Sequence, residues 1–251
     1  MTTSTAPATE VGSIVERLRA LVAGLPEQDG VAVFGGIYLT VTEAVAGHLA
    51  AGDVFADPVA VARLDVLFAD RFLGAVEAAT AAEAAAAAAT DAADATAAAA
   101  RPAACWRPLL ELRLHPGILP VQFALAGMNA HIEHDLPLAV LDTCRQLDCP
   151  PTELSADFHR VNQVLAQVEA RVRARLLPSL AGLEQELDLG DPLLHLVSSW
   201  SIDRARDAAW TTALTLWELR GDPQLLATAT RALDDATGLV SRCLLTPLGP
   251  G

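Results

Sequence analysis

Apolar residues recur at helical spacing from end to end of the chain, and strict apolar/polar alternation is nearly absent, so the pattern predicts an all-α protein. Asp29 and Gly30 form a turn ahead of a first buried segment, Val31 to Ala51, which carries the only tyrosine, Tyr38, and stops at Gly52. A second helix starts near Pro58, a favoured first-turn residue, with Asp57 as its N-cap and a stripe of Val61, Leu64, Phe68, Phe72 and Val76. Residues 78–100 are almost pure alanine, with high helix propensity and little bulk to bury, which suits a surface helix or a linker. A proline-rich break from Arg101 to Pro120 holds a short packed piece around Trp106 and Leu109 to Leu114. Further helices are expected over about Val121 to Leu147, Ala156 to Leu177, Leu193 to Leu219 and Pro223 to Leu245. Six or more helices with short connections make a single-domain bundle over residues 11–251, behind a disordered tail at 1–10.

Polar residues on the apolar stripes are the candidate chemistry, because a bare buried charge costs several kcal/mol and needs a partner. Asp65 shares the stripe of Phe68 and Phe72, whereas Arg63 and Asp70 point away. His131 and Asp135 lie four apart on one face, with His134 beside them, Asp142 two turns on and Glu133 opposite. An H-x-x-x-D pair can chelate a metal from one helix, and equally lets a carboxylate orient a general-base histidine. A buried histidine satisfied by Asp135 and a backbone carbonyl is the structural alternative. Gly127, one turn earlier, leaves room for a backbone or a ligand to come close. Asn162 sits at the edge of the next stripe, which includes Phe158, Val161 and Leu165. Arg206 shares a stripe with Asp203, Trp210 and Trp217, as a structural Asp–Arg pair on an aromatic or as an anion clamp.

Composition narrows the function. The 251 residues carry a net charge of −14, and all 17 basic residues are arginine. No basic run offers a nucleic-acid footprint, and acidic membrane surfaces are disfavoured. Without lysine, Schiff-base chemistry, pyridoxal phosphate anchoring and a P-loop lysine are excluded. No charge-free run of about 18 bulky apolar residues occurs, so no membrane span is expected. The four cysteines follow no CxxC spacing and fit a reducing cytoplasm. GxSxG, GxGxxG, HExxH and DDxxD motifs are all absent.

The segments Asp29-Gly30-Val31, Tyr38 to Glu43, Leu64 to Ala69, Gly127 to His131, Asp157-Phe158 with Val161-Asn162, and Ala205-Arg206 with Ala209-Trp210 resemble an uncharacterised, mainly actinobacterial helical family of unknown function. That resemblance implies a single domain and imports no activity. The Gly127 to Pro137 segment is also similar to the H-x-x-x-D helix of the helical zinc phospholipases C and single-strand nucleases. It departs from them at Ala139, where a histidine would help, and in lacking their N-terminal tryptophan ligand.

The residues therefore suggest a small-molecule enzyme with a buried helical pocket. His131 would be its acid/base, Asp135 the group orienting it, and Asp65, Asn162 or Arg206 would hold or polarise the substrate. Hydrolysis and cyclisation or isomerisation both need only proton transfer and a positioned donor. A divalent metal such as zinc is the one cofactor suggested, on His131 and Asp135 with His134 or Asp65 completing the set. The competing class is a non-catalytic helical protein that binds a ligand or a partner with the same residues fixing its core.

Overall fold

A computed structural model describes residues 7–88, 102–186 and 201–248, the side chains of 88 and 169–186 excepted. All regular structure among them is helical. The elements are α1 (Pro7–Ala23), α2 (Gly30–Ala51), α3 (Pro58–Ala88), α4 (Arg107–Leu112), α5 (Pro120–Asn129), a π-helical segment (Ala130–Asp135), α6 (Leu136–Leu147), α7 (Pro151–Glu186), α8 (Ile202–Glu218), a 3₁₀ turn (Leu219–Gly221) and α9 (Pro223–Leu244).

Local chemistry sets several boundaries. The Asp29 carboxylate accepts the Val31 N–H at 2.8 Å and so caps α2, while Gly52 closes the helix in the left-handed region, φ 68°, that glycine adopts without strain. Asp29 is fully buried, and its second oxygen faces Arg113 Nε at 3.0 Å. Asp57 accepts the Val59 and Ala60 N–H groups and caps α3, and Asp222 does the same for α9 ahead of Pro223. α2 is long and apolar enough to cross a membrane, but more than half of its most apolar stretch is buried against the other helices. There Phe34 and Tyr38 meet Phe72 of α3 and Trp106, just before α4, in one aromatic cluster.

The rod from Pro120 to Leu147 carries the site, and α9 is seated on it by buried amides. Gln122 Nε2 donates to the Leu244 and Thr246 carbonyls, and Asn129 Nδ2 donates to the Thr237 carbonyl and the Ser241 hydroxyl. Gly238 lets α9 approach residue 104 closely: a Cβ there would fall 2.6 Å from the Ala104 carbonyl oxygen.

Three boundaries differ from the sequence expectation, and the alanine tract follows one of its two alternatives. Residues 7–10, expected in a disordered tail, begin α1, which buries Val11, Ile14, Val15 and Leu18; residues 1–6 lie outside the described residues. The alanine tract extends α3 as far as Ala88, and its remainder is likewise outside. α7 starts at Pro151 and continues through Pro178, where the sequence suggests a loop. The expected Val121–Leu147 helix is interrupted at Ala130–Asp135, where the missing N–H of Pro137 cannot bond the Glu133 carbonyl and the winding loosens to the π form. The 193–200 part of the expected α8 and the side chains of Glu169, Val172 and Leu176 are outside the described set.

Candidate functional site

The π-helical segment projects His131, His134 and Asp135 into the bundle, each 6% exposed or less. Asp135 is the hub. Its Oδ2 takes the Trp106 indole N–H at 2.9 Å and His131 Nδ1 at 3.1 Å, and its Oδ1 meets His134 Nδ1 at 2.8 Å. Burial would raise this carboxyl's pKa, but the hydrogen bonds from the two histidines outweigh it and hold Asp135 below the usual carboxylate range. An ionised carboxylate can only accept, so both Nδ1 atoms carry their protons and each Nε2 of a neutral ring is a bare lone pair.

On the inner side, His131 is locked among aromatic rings. It stacks on Phe68 at 3.5 Å between centroids and meets Tyr38 edge-on at 4.4 Å. Phe34 packs edge-on against it too, and lies where a Cβ on Gly127 would stand, 2.3 Å from the nearest ring carbon. The close approach expected at Gly127 is therefore made by a phenylalanine. His131 lines a cavity of about 490 Å³, and its Nε2 is buried with no hydrogen bond. Burial, opposed by Asp135 and helped by the charge of Arg71, keeps the ring below the ordinary histidine range, hence neutral at pH 7.

Asp65 lines the same cavity, and its buried Oδ2 also lacks a partner; burial lifts its pKa to about 7. The Tyr38 hydroxyl has Thr42 beside it but makes no hydrogen bond of normal geometry, and burial together with Asp65 raises its pKa far above 10. An unmade hydrogen bond costs about 1–3 kcal/mol for each buried group, so orphaned groups around one cavity call for a reason beyond packing.

Arg206 lines the cavity from α8, and no Asp203–Arg206 pair forms among the described residues. Its Nε donates instead to Asn162 Oδ1 and its Nη2 to the Phe158 carbonyl. Asn162 thus positions the arginine and is not itself placed on the cavity. Asp142, expected on the His131 face, pairs with Arg71 and Arg145.

The outer side is different. His134 Nε2 faces Asp234 Oδ1 at 3.7 Å, in a surface pocket shared with Pro223, Leu226 and Arg231 of α9. Asp234 is pinned by the Ala104 and Cys105 N–H groups, each at 2.9 Å. The ligand atoms of Cys105, His134 and Asp234 lie within 4.8 Å of one another, so this group could hold a metal ion. Of the metal ligands read from sequence, His131 and Asp135 with His134 or Asp65, only His134 offers an atom to this cluster, while His131, His134 and Asp135 are tied to one another by hydrogen bonds.

Trp106, Phe68, Cys105 and Asp234 are site residues that sequence reasoning misses. Helical phase relates positions within one helix, whereas these four reach the site from other elements. The four cysteines are free, and burial raises the thiol pKa of Cys144 to about 12 and that of Cys105 further still.

Fold and site define a helical bundle with one buried carboxylate holding two histidines, one beside an inner cavity and one beside an outer pocket. The chain belongs to a family of unknown function, DUF5995, whose model matches residues 11–247. Comparison with curated proteins and with solved structures gives no match.

Proposed function

We propose that this protein is an acid/base enzyme acting on a small, largely apolar molecule held in the inner cavity. The observation that carries this is His131: its Nδ1 is tied to Asp135, its ring lines the cavity and is clamped on Phe68 and Tyr38, and its Nε2 is buried with no hydrogen-bond partner. A neutral imidazole of fixed tautomer is a proton acceptor ready for use, and ionised Asp135 stabilises the imidazolium that forms. Asp65, with a pKa near 7, supplies a carboxyl able to return a proton at neutral pH. Proton abstraction followed by return is the core of isomerisation and cyclisation, and hydrolysis uses the same pair with a water.

Zinc is the ion we propose for the outer cluster, since a thiolate, an imidazole and a carboxylate suit it and the Asp135–His134 hydrogen bond is the support a zinc-bound histidine usually has. It would add Lewis acidity at the outer pocket, while the cavity chemistry rests on the chain's own groups.

The test is a ligand-detected screen of apolar esters, lactones and enolisable ketones, followed by turnover of the hits by the wild type and by His131→Gln. The variant should keep ligand affinity within a few-fold and lose roughly 10²- to 10⁴-fold in kcat. Equal turnover removes His131 from the chemistry. Hits that bind both proteins and are turned over by neither favour a binding protein without catalysis.

A further inference from the structure

Acid/base chemistry at His131 leaves the cavity's guanidinium, Arg206, unused. Arg206 is 6% exposed and is held by two residues of α7 at once: Nε on Asn162 Oδ1 at 2.6 Å, Nη2 on the Phe158 carbonyl at 2.7 Å, and the guanidinium carbon 4.3 Å above the Phe158 ring. Those bonds use two of its five N–H groups, so both on Nη1 and one on Nη2 remain. Among the described residues no carboxylate lies within ion-pair distance of it. Asp203 and Asp207, exposed on the same helix, act on it only through space, and burial lowers its pKa to about 10, which leaves it a cation at neutral pH.

The other acidic groups around the cavity do not neutralise it. Asp57 caps α3, and Asp157 accepts the Ala56 and Asp57 N–H groups and pairs with Arg160. Glu153 and Asp203 are exposed, and Asp65 makes no ion pair among the described residues. A desolvated guanidinium with a fixed plane and free N–H groups is a ready acceptor for a planar anion.

We propose that the ligand of this cavity is a monocarboxylate with an apolar body, its carboxylate docked on Arg206 and its body lying along the cavity wall formed by residues such as Leu64, Leu154 and Val161. The proposal rests on the acid/base reading only for where the reacting bond sits; docking on Arg206 does not involve His131. One charge is the right number: Arg206 is the single guanidinium among the described lining residues, and nearby Asp157 and Asp203 oppose a doubly charged phosphate. Phe68, packed against the apolar clusters on both the His131 and the Phe158 sides, gives the body a continuous surface between the two groups.

The experiment uses the full chain and three probes of equal length, dodecanoate, dodecanol and dodecylamine, with Kd measured calorimetrically below their micelle concentrations. Dodecanoate should bind the wild type roughly 10- to 100-fold more tightly than dodecanol, the range expected for a hydrogen bond to a charged group. Arg206→Met should erase that preference while leaving dodecanol unchanged, and His131→Gln should retain it. A wild type that binds the alcohol or the amine as tightly as the carboxylate, or that binds none of the three, overturns the proposal. So does an Arg206→Met variant that keeps the preference. Should Arg206→Met fail to fold because Asn162 and the Phe158 carbonyl lose their donor, the head-group series on the wild type decides the matter. Loss of turnover in His131→Gln with the carboxylate preference intact separates this proposal from the acid/base one.

Discussion

His131 and His134 hang from the same carboxylate by the same ring atom, yet they belong to different chemical worlds. The Nε2 of His131 is buried without a partner in a ring that lines the inner cavity, whereas that of His134 meets a carboxylate and a thiol beside an open pocket. The tether alone therefore does not define a histidine's role. In one place it leaves a bare base waiting for a proton, and in the other it leaves a ring nitrogen 3.7 Å from a carboxylate oxygen and close to a thiol, a set of ligand atoms that a cation could bridge.

The largest expected effect comes from removing what the two sides share. Asp135→Asn replaces an acceptor-only group by an amide that presents N–H to one of three N–H donors, so Trp106, His131 and His134 cannot all keep their present donor roles. Losing hydrogen bonds to a buried charged acceptor costs about 1.5–3 kcal/mol for each bond lost. Urea denaturation should show it, with both sides failing together. A loss under about 1 kcal/mol would mean that the two histidines are held by packing alone.

Much of this is legible from local signals. Asp29, Gly52, Asp57 with Pro58, and Pro223 mark helix ends by their own backbone chemistry, and the i, i+4 spacing brings His131 to Asp135 in any helical winding close to α. What is not legible depends on which helices become neighbours. Asp234 reaches His134 only because Gly238 lets α9 press on residue 104, and Trp106 reaches Asp135 only through the seat of α4. Pro137 is a visible signal for the π-helical segment, since a proline that deep in a helical pattern must unmake one hydrogen bond. Pro178 shows the limit of that logic, because α7 runs through it.

A second break of the comparison acts on the inner side alone. The Asp65 carboxyl is raised from 3.8 to about 7 in the folded protein, so between those values the folded state holds a proton that the unfolded chain has lost. Wild-type stability then falls as pH rises through that window, and above pH 7 the deficit is complete, at most about 4 kcal/mol and less in proportion to the water the cavity admits. Asp65→Asn should be more stable than the wild type at about pH 8, with the gain vanishing near pH 3.5. A gain independent of pH would show that Asp65 is not strained by ionisation, and the inner cavity would lose its acid.

The smallest effect sharpens the outer side. A zinc ion binding only the folded chain stabilises it by about 1.4 kcal/mol at ten times its Kd, a rise readable by thermal denaturation during a zinc titration. His134→Gln removes the imidazole ligand and should abolish the rise, while His131→Gln should leave it intact, because the inner histidine offers the outer cluster nothing. The Cys105 thiol is pushed up by burial and by the charges of Asp135 and Asp234, so zinc must displace a tightly held proton and its affinity should increase with pH. If zinc stabilises His134→Gln as much as the wild type, or stabilises neither, the outer cluster is a hydrogen-bonded joint between α9 and the π-helical segment. The two histidines would then differ only in that His134 fastens a helix while His131 faces the cavity.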